Sequence, residues 1–88
     1  MVGTLIKTDT IDGLFIGLIK EHFYCKEDGF ISIEVTWNDC DETTETFRDD
    51  EGDYDSAIYH FYENNRWWRI DTNFYMFKRV LEDNYEYR

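Results

Sequence analysis

The chain contains no proline. Its turns therefore rest on glycine, asparagine and aspartate, not on a fixed φ. Cysteine is scarce, and Cys25 and Cys40 allow one disulfide at most. With no export signal in view they read as free thiols in a reducing, cytoplasmic compartment. Basic residues are few, nine against 20 acids, for a net charge of −11. That balance argues against direct binding of nucleic-acid phosphates, which needs clustered Lys and Arg, and against binding to anionic membrane surfaces. Long hydrophobic runs are missing too. The stretch Leu14–Ile19 is far short of the ~20 residues that span a bilayer. The first residues carry Lys7 against Asp9 and Asp12, which is no basic leader, and Val2 stands where myristoylation needs glycine. The expectation is no membrane association and no cofactor.

Aromatic residues, by contrast, are abundant: seven Phe, seven Tyr and three Trp. Each can bury about 150–250 Å², which sets this chain apart from disordered acidic sequences. At 88 residues it is read as one domain, 1–88, with a core of modest size.

The charge is unevenly placed. Residues 39–55 hold nine acids (Asp39, Asp41, Glu42, Glu45, Asp49, Asp50, Glu51, Asp53 and Asp55) against Arg48 alone. Residues 56–88 hold five acids, five bases and ten of the 17 aromatics. The picture is an acidic central segment followed by a neutral, aromatic last third.

Periodicity gives a coarse fold. Ile11, Leu14, Phe15, Leu18, Ile19 and Phe23 fall on one helical face, capped by Asp9 or Thr10 and closed by Gly29. Gly13 and Gly17 oppose that helix by about 1 kcal/mol each, and the rival is a strand over 15–25. Residues 30–37 alternate as a half-buried strand, with 43–48 as its hairpin partner. A second hairpin joins 57–62 to 66–70 through Glu63-Asn64-Asn65. A helix over 73–83 follows, with Phe74, Phe77 and Leu81 inward. The fold class expected is α+β, an antiparallel sheet of about four strands with an N-terminal and a C-terminal helix. The alternative is a small, mostly-β barrel with one C-terminal helix.

Three kinds of chemistry come into question. His22, Cys25, Cys40 and His60 offer zinc-type donors, but only His22-x-x-Cys25 has tight spacing. Asp49–Asp55 is rich in oxygen, yet Tyr54 and His60 stand where an EF-hand needs Gly and Glu. No serine nucleophile stands beside a plausible base and there is no Gly-rich phosphate loop, so no catalytic residue is assigned and the chain is not read as an enzyme. Trp67 and Trp68, between Arg66 and Arg69, should point to opposite faces of a strand, and an exposed Trp beside Arg is a frequent hot spot. Carboxylates two apart on a strand would lie about 6.6–6.8 Å apart on one face, an anionic edge that a basic groove could mistake for nucleic acid. The candidate partner-binding residues are therefore Asp39, Asp41, Glu42, Glu45, Asp49, Asp50, Glu51, Asp53, Tyr54, Asp55, Trp67 and Trp68.

In size, in the acidic run Asp39–Asp55, in its wealth of Tyr and Phe and in its lack of a catalytic motif, the chain resembles the small acidic inhibitors encoded by bacteriophages, such as anti-CRISPR proteins and anti-restriction DNA mimics. The resemblance covers no aligned stretch and carries over no residue. It implies a non-catalytic, stoichiometric inhibitor that binds the basic surface of a nuclease or other nucleic-acid-binding protein. The rival expectation is an ordinary interaction module that associates through its aromatic last third, with a homodimer left open.

Overall fold

In a computed structural model, which describes residues 3–49 and 53–85 with side chains through Asp83, the chain forms a single antiparallel sheet of six strands. The strands are β1 (Leu5–Thr10), β2 (Gly13–Cys25), β3 (Phe30–Trp37), β4 (Glu42–Arg48), β5 (Tyr59–Glu63) and β6 (Arg66–Arg69). Their order across the sheet is β4-β3-β2-β1-β5-β6, so β4 and β6 are the edges. A short helix α1 (Tyr54–Ile58) links β4 to β5, and a 3-10 turn (Asp71–Asn73) leads into α2 (Phe74–Tyr85).

The expected N-terminal helix is absent, and the four-strand α+β arrangement gives way to a mostly-β one. Residues 5–25 form the hairpin β1–β2 instead, paired from Leu5↔Leu18 to Thr10↔Gly13. Both faces of β2 carry apolar side chains. Phe15 and Ile19 turn toward the core, whereas Leu14, Leu18 and Phe23 turn to the other face. A β-bulge at Lys20, between the pairs Ile19↔Val35 and Glu21↔Glu34, then shifts the phase of the alternation. A strand that is apolar on both faces and bulged in the middle loses its period of two, and the residue spacing then mimics a helix. The sheet is open, not closed into a barrel: its order ends at β4 and β6.

Other elements follow local rules. In β3, Ile31, Ile33, Val35 and Trp37 are buried in strict alternation. Asn64 and Asn65 both take positive φ, 53° and 65°, in the two-residue turn of β5–β6, as that turn's twist requires. Along α2, Phe74, Phe77, Val80 and Leu81 are buried and cover one face of the sheet. There Phe77 packs on Phe61 and Phe47 with ring centroids 4.9 and 5.9 Å apart. Ile6, Ile19, Ile31, Ile33, Val35 and Ile70 complete this core. The opposite face of the sheet carries no helix among the described residues. None of the described helices is long and apolar enough to cross a membrane.

Candidate acidic and aromatic cleft

The strand pairing brings the β1–β2 turn, the β3–β4 turn and the start of β5 to one end of the sheet. Asp9, Asp12, Asp39, Asp41, Glu42 and Glu45 all lie at or near that end. On the core face at this end, beyond the reach of α2, lies a cleft of ≈ 300 Å³. Its aromatic walls are Phe15, Trp37 and Tyr59, and its carboxylates are Asp39, Asp41 and Glu45. The hydroxyls of Thr8, Thr10 and Thr43 fill in between.

Each wall has a local cause. Trp37 is the last inward residue of β3 and faces Gly17 across the β2–β3 pair. Only glycine leaves room there for the indole. The Trp37 Nε1–H donates to Thr43 Oγ1 at 2.7 Å, and the Thr43 hydroxyl donates in turn to Glu45 Oε2 at 2.7 Å. Thr43 and Glu45 are two apart on β4 and so share a face. The tight β3–β4 turn places Cys40 at φ 73° and is held by Cys40 N–H to Trp37 carbonyl, 2.9 Å, and by Asp41 N–H to Asp39 Oδ1, 3.1 Å. Asp39 and Asp41 are thereby fixed at the rim. Tyr59 packs between the rings of Trp37 and Phe47, tilted against the first at 6.2 Å and edge-on to the second at 5.2 Å.

The electrostatics of the cleft are those of crowded anions. Burial, the charge of Glu45 and a hydrogen bond to it raise the Tyr59 phenol well above its ordinary value, so Tyr59 is a neutral donor there and not a nucleophile. Burial, with the charges of Asp53 and Glu45, raises the Asp55 carboxyl. Negative charge thus accumulates around an apolar floor. Such a site suits a cation whose alkyl stem lies along the rings while its head meets carboxylates.

No family model, curated protein or solved structure matches this chain.

The candidate residues read from the sequence divide into groups. Asp39, Asp41 and Glu45 meet at the cleft, with Asp55 in electrostatic reach of Glu45 and Tyr59. Asp53 is turned inward as a structural acceptor, taking Arg48 N–H at 2.8 Å and the hydroxyl of buried Ser56. Glu42 points to the other face of the sheet, where Lys20 reaches it at 3.5 Å. Tyr54 is exposed on α1. Asp49 belongs to the opposite end of the sheet, beside Tyr24, Lys26, Arg48 and Tyr75. Asp50 and Glu51 lie outside the described residues. The described acids therefore do not form a regular row on one strand. They gather from two turns and a strand.

Trp67 and Trp68 point to opposite faces, and both are half-buried. Trp68 packs against the core, donates to Glu63 carbonyl at 2.8 Å and lies under the Arg66 guanidinium, 4.3 Å from its ring. Trp67 lies on the helix-free face against Tyr62, 5.1 Å between ring centroids, with Lys7 Nζ 4.7 Å from its ring. Neither reaches the cleft.

The zinc-type donors do not converge. Cys25 and Cys40 stand at opposite ends of β3, which at about 3.3 Å per residue holds them roughly 20 Å or more apart, beyond disulfide reach. Among the described residues no three His, Cys, Asp or Glu side chains group as a metal site.

Sequence reasoning missed Phe15, Trp37 and Tyr59, the aromatic half of the cleft. A signal was present. The alternation of 30–37 ends on Trp37, and pairing across the 38–41 turn puts Thr43 and Glu45 beside it.

Proposed function

We propose that this protein is a non-catalytic inhibitor that occupies the basic surface of a nuclease or other nucleic-acid-binding protein, standing in for the nucleic acid. The observation that carries the reading is the cleft itself, three aromatic walls rimmed by Asp39, Asp41 and Glu45 at the end of the sheet where the acids gather. A lysine or arginine side chain of the partner would enter it, stem against Phe15 and Trp37, head against the carboxylates. The surrounding acids would steer the encounter and set its salt dependence. The gathering of charge from turns, not from one strand, makes the likeness to nucleic acid one of potential and not of phosphate spacing. Action in the cytoplasm belongs to the same proposal, supported by two cysteines placed too far apart to bridge.

Capture from the native host's lysate tests this. Wild type should retain a nucleic-acid-binding protein that added DNA or RNA displaces. The triple variant Asp39→Asn, Asp41→Asn, Glu45→Gln should release it. Equal retention by both proteins, or a captured partner indifferent to nucleic acid, refutes the reading.

The rival reading, an interaction module acting through the aromatic last third, has one observation of its own: the Tyr62–Trp67 pair on the helix-free face.

A further inference from the structure

The sheet has two faces, and the described residues cover only one. On the other face Leu5, Leu14, Leu18, Phe23 and Tyr62 remain 37–60 % exposed, joined by half-buried Trp67. The strand pairings make them neighbours: Leu5 opposes Leu18, and Tyr62 opposes Trp67. Clustered apolar side chains of this size on one side of a sheet mark a contact surface.

The charge on this face favours a second copy as the occupant. Lys7, Lys20, Arg48 and Arg69 point to it, and so do Asp9, Glu21, Glu34 and Glu42, with Asp71 paired to Arg69 at its edge. In a chain of net charge −11 this face, with four bases against five acids, is close to neutral, because most of the excess lies elsewhere. A strongly basic partner gains nothing by docking on a neutral face. A second copy of the same acidic chain is best met there, since like potentials repel where the acids gather. Size agrees. Six strands about 4.8 Å apart and about 20 Å long give roughly 500 Å² in projection, and side-chain relief brings this toward the ~800 Å² per partner of a standard interface. We infer that the helix-free face of the sheet is a two-fold homodimer interface, sheet packed on sheet, with the same patch contributed by both copies. The acidic clefts, on the core side of each sheet, then remain free for partners.

Sedimentation equilibrium of the full chain across the micromolar range tests this. Wild type should sediment at twice the monomer mass. Its association should tighten between about 0.05 and 0.5 M salt, as screening relieves the repulsion of two acidic bodies. Leu18→Lys should weaken association about tenfold or more, because it puts a charge in the apolar centre. Leu14→Lys, at a more exposed position that the fold tolerates, should act in the same direction. Tyr54→Ala, off this face, should leave the dimer intact. A wild type that stays monomeric throughout overturns the inference, and so does a dimer that both lysine variants leave unchanged. A monomer whose open face is protected by a different protein also overturns it. The Leu18→Lys monomer should still bind the basic partner of the cleft, so the two proposals fail separately.

Discussion

Gly17→Ala is a one-methyl perturbation whose effect can be worked from the packing. A Cβ at Gly17 would stand 2.5 Å from Val35 Cγ1, 2.8 Å from Trp37 Cε3 and 3.0 Å from the Thr36 carbonyl oxygen. Carbon atoms prefer about 3.5–4.0 Å, so the methyl intrudes by about 1 Å on Val35 and about 0.7 Å on Trp37. Neither neighbour yields easily. Val35 is buried and stiff at χ1, and Trp37 is tied by its Nε1–H to Thr43. Overpacking of this kind costs about 1–3 kcal/mol. Against it stands a gain of about 0.5–1 kcal/mol from replacing glycine in a strand. The net loss is on the order of 1–2 kcal/mol, and at about 4–8 °C per kcal/mol for a domain this size the Tm should fall by roughly 5–15 °C. Thermal unfolding followed by circular dichroism reads the loss, and indole emission reads the displacement of Trp37 into the cleft. A Tm that is unchanged or higher would refute the packing argument, and with it the claim that Gly17 makes room for the cleft floor.

Ser56→Ala should cost about 1–2 kcal/mol in urea unfolding, because its fully buried hydroxyl bridges the Asp53 carboxylate and the Arg48 carbonyl; a cost within error would remove Asp53 from its structural role. Asp55→Asn should raise stability at neutral pH, since burial and the charges of Asp53 and Glu45 oppose ionisation there; a fall would contradict that repulsion. His60 is held below 6.5 by burial, then by Lys7 and Arg69, against the smaller pull of Asp71 and Asp9. Its protonation is thus costlier in the folded state, so His60 should lower stability as pH drops from above 6.5 toward its folded pKa, with no further change below that value. Melting curves across that window should flatten in His60→Gln, and an identical slope in the variant would contradict the assignment.

How much of this was legible in the sequence varied by element. Strand β3 showed itself because only one of its faces is apolar, and the Asn64-Asn65 turn because few residue types tolerate its backbone. Helix α2 was visible through Phe74, Phe77 and Leu81. The hairpin β1–β2 was hidden by its own side chains: a strand apolar on both faces has no period of two, and the bulge at Lys20 erased what remained. Gly13 and Gly17, which argued against a helix, were the better guide. For the site, the sequence located the acids but not their geometry. Charge counts do not say that Glu42 turns to one face, Glu45 to the other and Asp53 inward. The aromatic half of the cleft depends on pairing across the 38–41 turn, which composition does not reveal.

The central claim is that the Phe15, Trp37 and Tyr59 cleft with its carboxylate rim receives a cationic side chain. Titration of the 15N-labelled protein with a short arginine- and lysine-rich peptide, followed residue by residue by NMR at low and high salt, tests it most directly. The account predicts the largest shifts at the Trp37 indole N–H and at Phe15, Thr43, Glu45 and Tyr59, weakening with salt and lost in the Asp39→Asn, Asp41→Asn, Glu45→Gln variant. Shifts spread evenly over the exposed acids, with the Trp37 indole unmoved, would contradict it.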